Sequence, residues 1–194
     1  MPCSRKSTVY TAKDFVVSAG CILFEGPDPL GETSLNVCLV QSQSSGEWLL
    51  PKGRKDCNEE LPAAAVRETF EETGYHCDLL PVDMVTRAPT SELGDTCTSH
   101  LVQDCKEPFT VQVRHNSDNT IKLVYYFVGC SDGSSKQANT QMGHEDFESI
   151  FVPAEEAIDK LSYANEAEIV REAVRLVLAT KQRRLQKECK TKSG

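Results

Sequence analysis

The chain is poor in several things, and each shortage removes a class of protein. Nowhere do its 194 residues approach the ~18 consecutive apolar positions that a membrane-spanning helix requires. The opening "MPCSRKSTVYTAKDF" lacks the apolar run of a secretory signal. The nine cysteines are odd in number and scattered, and no two stand at C-x-x-C spacing. That argues against a zinc ribbon or a thioredoxin-like redox motif. It favours reduced thiols in the cytoplasm, with the nucleus as the alternative location. Positive charge is short as well, with 21 Lys and Arg against 29 Asp and Glu and a net charge of −8. A general binder of nucleic-acid backbone needs a dominant positive field, so that class is set aside. A small, highly anionic substrate is compatible with this balance if metal ions and a local basic cluster offset the overall field.

What is present is ordinary for one globular domain: 39% hydrophobic and 26% charged residues, with enough chain to bury a core unaided. Residues 1–14 are polar and read as a loose N-terminal segment. "FVVSAGCILFE" and "LNVCLVQS" read as a strand pair joined by the turn-rich "GPDPLGETS". "YHCDLLPVDMVTRAP" reads as strand, and residues 88–120 as a polar insertion around a short strand at "FTVQV". "IKLVYYFVG" and "FESIFVP" read as later strands. Apolar residues from Ile169 to Leu178 recur at helical spacing and predict a long amphipathic helix. One domain over residues 15–180 is expected, followed by a basic tail over 181–194.

The segment "GRKDCNEELPAAAVRETFEETGY", Gly53 to Tyr75, carries the chemistry. Pro62 suits a first helical turn and Gly74 the left-handed residue after a helix. Between them Ala63, Val66, Phe70 and Thr73 form an expected core stripe, while Glu68, Glu71 and Glu72 share a different face. Three acids near a helix C-terminus oppose its partial negative charge, by roughly 0.3–1 kcal/mol each. A local rule broken this openly often records a functional demand. Hard divalent cations favour such oxygen donors, completed by water and substrate phosphate.

The spacing resembles the Nudix box, G-x5-E-x7-R-E-U-x-E-E-x-G-U, where U is a bulky apolar residue. The matching positions are Gly53, Glu59, Arg67, Glu68, Glu71, Glu72, Gly74 and Tyr75, with Thr69 departing at the first U. "EWLLPKG" before the box and "HEDFESIFVPAEEA" after it fit the family's layout. The resemblance implies an α/β fold, an α/β/α sandwich with a mixed sheet and a long C-terminal helix. It implies hydrolysis of a phosphoanhydride with Mg2+, or Mn2+, as cofactor. Carried over onto matching positions, Glu68, Glu72 and then Glu71 are the metal ligands, with the Gly53 carbonyl completing the set. Glu59 and Arg67 brace the loop against the helix, and Arg67 joins the catalytic group by orienting the acids. Glu145 resembles the distant acid that binds a further metal or takes a proton from the attacking water.

The triplet Pro51-Lys52-Gly53 resembles the branch that acts on diadenosine polyphosphates and diphosphoinositol polyphosphates. The expected partner is therefore a small polyphosphate, contacted by Lys52, Arg54, Lys55, Arg87 and Lys122, with Tyr163 placed to stack on a base. Nucleotide sugars, oxidised nucleoside triphosphates or a capped RNA end are the enzymatic alternatives. A non-catalytic Nudix-like binding module is the other class, although such modules usually lose the box acids that this chain keeps.

Overall fold

The computed structural model describes residues 7–32, 34–89, 98–132, 134–141 and 146–192. In chain order it forms β1 (Phe15–Phe24), β2 (Asn36–Ser42), β3 (Trp48–Leu49), β4 (Gly53–Arg54) and α1 (Leu61–Thr73). There follow β5 (Cys77–Leu79), β6 (Val82–Thr86), β7 (His100–Cys105), β8 (Thr110–His115) and β9 (Ile121–Ser131). The chain then forms β10 (Phe147–Pro153), α2 (Ala154–Lys160) and α3 (Ala164–Lys192).

Eight strands make one mixed sheet in the order β10-β2-β1-β9-β5, with β3 on β2, β4 on β1 and β8 on β9. The central pair, β1 and β9, is parallel from Phe15↔Ile121 to Phe24↔Cys130, and its neighbours are antiparallel. Because β1 is covered on both faces it reads as a nearly unbroken apolar run. Its alternate residues Ala19, Cys21 and Leu23 pack with Ala64 and Ala65 of α1. Ile22 and Phe24 face the other way, into the larger core formed with Ala167, Val170, Ala173 and Val177 of α3. This is the expected α/β/α sandwich. No helix among the described residues is long and apolar enough to cross a membrane.

Several elements differ from their sequence reading. The stretch 77–86 divides into β5, on the main sheet, and β6, which pairs with β7 in a separate two-stranded sheet. β7 falls in the expected insertion and escapes a pattern reading because its burial alternates only weakly along "HLVQDC". The basic segment expected as a tail continues α3 to Lys192. Its arginines are engaged: Arg183 pairs with Asp83 and, at 2.9 Å, with Asp104, and Arg184 reaches Asp104 at 3.1 Å. The described cysteines, which do not include Cys3 and Cys97, are all free thiols.

Candidate active site

The helix α1 begins with Pro in its first turn and stops at Gly74, which sits at φ 77° and donates its N–H to the Phe70 carbonyl at 2.8 Å. Both ends match expectation, but its rotation does not. Ala63 is exposed, and the face turned inward is Ala64, Ala65, Glu68, Thr69, Glu72 and Thr73. Two of the three carboxylates therefore share the buried face instead of lying apart from it. Glu68 is 6% exposed and Glu72 3%.

Partners from the sheet explain this placement. The Thr69 Oγ1 accepts the Cys21 N–H of β1 at 2.9 Å and donates to the Ala65 carbonyl at 2.7 Å. A Thr at the expected apolar position thus accepts a buried strand N–H. The Glu72 carboxylate accepts the Lys52 N–H at 2.9 Å. Glu68 lies against Gly53, so near that a Cβ built there would fall 1.7 Å from its Oε2. The helix end is further closed by Thr140, whose Oγ1 donates to the Glu71 carbonyl at 2.8 Å, and by Gln141, whose Nε2 reaches the Glu72 carbonyl at 3.4 Å.

Arg67 settles the crowding of acids. Its Nε and Nη2 donate to the two carboxylate oxygens of Glu59 at 2.7 and 2.9 Å, a bidentate pair. Its Nη1 donates to Glu68 at 2.8 Å and to Glu71 at 2.9 Å, and Nη2 also reaches the Arg54 carbonyl at 3.0 Å. The hydrogen bonds from Arg67 hold the Glu59 carboxyl at about 2, well below its usual range. One guanidinium therefore joins the loop, the start of the site and two acids of the helix.

The cations separate into two groups. Lys52, Arg54 and Lys122 stand together with Arg114, a residue that sequence reasoning missed. Burial first, and then the neighbouring charges of Lys52, Arg114 and Arg54, bring the Lys122 ammonium down to about 8, against an opposing pull from Glu72. Arg114 is held by Glu166 at 2.8 Å, and the fully buried Glu166 carboxylate also accepts the Leu50 N–H at 3.1 Å. Residues 114 and 166 lie on separate elements, so no local pattern could have joined them.

The remaining expected contacts lie elsewhere. Lys55 is turned onto its own loop, its Nζ donating to the Asp56 and Glu59 carbonyls at 2.8 Å each. Arg87 is exposed just past the end of β6, a strand of the two-stranded sheet. Tyr163 sits exposed before α3 and donates its hydroxyl to Glu47 at 2.6 Å. Glu145 lies outside the described residues.

The donor chemistry of the site fits a hard divalent cation: two buried carboxylates against the Lys52–Gly53 backbone, with Glu71 at the rim. Among the described residues no three acidic, His or Cys side chains already converge as a cage. Mg2+ does not ask for one, since it ordinarily keeps several waters and shares substrate phosphate oxygens.

A mixed sheet lies between helices, with Gly53 on β4 facing the acids and Arg67 of α1, and this architecture defines an α/β protein. A family model, the NUDIX domain, matches residues 14–173. The chain belongs to the Nudix family. An 8-oxo-(d)GTP phosphatase of Mycolicibacterium smegmatis is 25% identical over 181 residues, covering 91% of this chain but 47% of that protein. The chain thus spans about half the length of that relative. An Ap4A hydrolase of C. elegans, solved as a binary complex, superposes with a TM-score of 0.53 at 20% identity, over 84% of this chain and 98% of that one. A NUDIX-family hydrolase of Clostridium perfringens gives 0.54 at 17% identity, over 86% and 99%. At such identities these two structures speak to the fold.

Proposed function

We propose that this chain is a divalent-metal-dependent hydrolase of phosphoanhydride bonds in highly phosphorylated small molecules, such as diadenosine polyphosphates or diphosphoinositol polyphosphates. One observation carries the reading: Glu68 and Glu72 are buried side by side against Lys52 and Gly53, with a group of cations immediately beyond. Cleaving a phosphoanhydride is largely a matter of positioning water and spreading charge over phosphoryl oxygens. Glu68 and Glu72 would hold the ion, with Glu71 next, and the ion when bound supplies Lewis acidity to those oxygens and makes coordinated water more acidic.

The chain's own groups do the rest. Arg67 keeps Glu68 and Glu71 from repelling one another and fixes the loop through Glu59. The Lys52 N–H orients Glu72. The side chains of Lys52, Arg54 and Lys122 grip phosphates, whereas Lys55 belongs to the loop's own bracing. Glu145 takes the proton of the attacking water, and Glu145→Gln should slow turnover at least ~100-fold.

The similarity to the M. smegmatis phosphatase supports a second reading, an oxidised nucleoside triphosphate as substrate. A side-by-side assay with magnesium of inositol pyrophosphates, diadenosine polyphosphates, 8-oxo-dGTP and capped RNA decides between them. Turnover is expected on the first two and lost in Glu72→Gln. Unchanged turnover in that variant would leave a non-catalytic module as the better description.

A further inference from the structure

β8 pairs with β9 and, among the described residues, with no other strand, so its far side is an edge of the main sheet. The hairpin that joins the two strands fixes which backbone groups of β8 are already used. Asn116 donates its N–H to the Thr120 carbonyl at 2.9 Å, and Asn119 closes the turn on the Asn116 carbonyl at 3.2 Å. Alternate residues of an antiparallel pair bond inward, so the set that follows from Asn116 is Arg114, Gln112 and Thr110. Val111 and Val113 therefore turn their N–H and C=O groups outward, to the edge. Their side chains are about half exposed, at 51% and 49%. In the sheet Val113 stands in one row with Leu123 and Val17, and Val111 in the next with Tyr125 and Ala19. The helix α1 packs on Ala19 through Ala64 and Ala65, and the two valines lie outside its cover.

An open strand edge beside apolar side chains is a template for another strand, and sheets ordinarily guard it with lysine, proline or a covering segment. The opposite edge, β10, is guarded in this way. Pro153 ends it, and the Lys136 Nζ donates to the Ser149 carbonyl at 3.4 Å. The sequence of β8, "TVQVRH", has no such device. Its Arg114 is turned to the other face and held there by Glu166 at 2.8 Å. The edge is also complementary to itself. When a second β8 runs antiparallel about a two-fold axis at Gln112, Val111 of each copy meets Val113 of the other. Both pairs can exchange backbone hydrogen bonds, and four valines gather on one face. Arg114 then faces Thr110, so no like charges are opposed. Carried past the strand ends, the same register sets exposed Lys106 of each copy level with exposed Asp118 of the other.

We infer that the outer edge of β8 pairs with β8 of a second copy of this chain, doubling the eight-stranded sheet across an axis at Gln112. The axis stands perpendicular to the sheet, so both copies keep α1 on the same side. Stable, specific interfaces bury about 1,200–2,000 Å2, and a single six-residue edge with its valines covers less. The dimer is accordingly a weak one, with a Kd on the order of 10–100 μM. Pairing at this edge uses none of the acids of α1, and it stands whether or not the chain is a hydrolase.

Sedimentation equilibrium of the full chain from about 1 μM to about 500 μM brackets that affinity. The apparent mass is expected to climb from 21.5 kDa towards twice that value. Val113→Lys, which sets a guarding charge among the four valines, should raise Kd at least ~10-fold, and Val111→Lys should do the same. Lys106→Glu turns two attractions into repulsions and should raise Kd about threefold, with the difference lost at high salt. A measurement on the unaltered chain keeps the test decisive should the lysine variants fold poorly. Amide hydrogen exchange at Val111 and Val113 should slow as concentration rises over the same range, while the inward amides of Gln112 and Arg114 stay constant. A chain that remains monomeric at every concentration overturns the pairing and leaves the edge to an extended segment of another protein. A dimer that forms without protecting the two valine amides overturns the choice of surface, as does one indifferent to both lysine substitutions.

Discussion

Gly53 gives its side-chain space to Glu68: a methyl group there would sit 1.7 Å from one carboxylate oxygen and 2.1 Å from the carboxylate carbon. The need for glycine is steric contact with a site acid, since Gly53 does not adopt a left-handed backbone conformation. Gly53→Ala should therefore displace Glu68 and lower kcat by about 100-fold, the scale that a misplacement of ~1 Å produces. Steady-state kinetics with magnesium would check this. A variant that folds with unchanged kcat would show that Glu68 can leave Gly53 without consequence.

The Glu59–Arg67 pair predicts an acid-sensitive contribution to stability. The folded Glu59 carboxyl is held at about 2, against 4.5 for the unperturbed group. A depressed carboxylate stabilises the fold above its unfolded value, and this contribution is lost as pH falls from 4.5 towards 2. Glu59→Gln should cost roughly 1–2 kcal/mol at neutral pH, and the difference from the parent chain should close over that window. Urea denaturation at a series of pH values measures it. A gap that stays constant down to pH 2 would be incompatible with the pairing.

Lys122 has the opposite sign. Its folded value of about 8 lies below the 10.5 of an exposed lysine, so the unfolded chain binds more protons between those values. Stability should rise with pH through that window, and Lys122→Gln should melt higher than the parent at pH 7. The advantage should shrink as pH approaches 10.5. Calorimetric melting at both ends of the range tests it, and a lower Tm for the variant at pH 7 would contradict the crowding of cations described here.

Thr69→Val keeps the shape of the side chain but removes the acceptor for the Cys21 N–H. Leaving that donor buried and unpaired should cost about 1–3 kcal/mol. For a domain of this size that lowers Tm by roughly 2–4 °C per kcal/mol. Activity per folded molecule should be retained, because Glu68 and Glu72 keep their own partners. An unaltered Tm would mean that water or a shifted strand replaces the hydroxyl.

The sequence revealed those parts of the molecule whose signals are local. Pro62 and Gly74 marked the ends of α1, and the β-branched runs around Cys21, Val40 and Val124 marked the strands at the sheet's centre. The rotation of α1 was misread because hydrophobicity was taken to mark the inner face. Here that face carries Thr69 and Glu72, whose polar atoms are matched by the backbones of β1 and of Lys52. Within the site, the box spacing exposed the acids and the Arg67 brace together. Arg114 and Glu166 stayed hidden, since they are 52 residues apart and only the packing of α3 on the sheet joins them. Lys55 shows the reverse: a lysine beside the box invites a role in binding, and its ammonium is within reach of two carbonyls of its own loop.

The parallel pairing of β1 with β9 sets an order on how this molecule is made. Phe15 must wait for Ile121, and Phe24 for Cys130, before the middle of the sheet can close. A chain emerging from the ribosome therefore carries its acidic helix for over forty further residues before the strand that completes the platform beneath it exists. Until then the edge of β1 that β9 will occupy keeps its backbone groups unpaired, and the apolar face that α3 covers stays open longer still, until residues 164–192 are made.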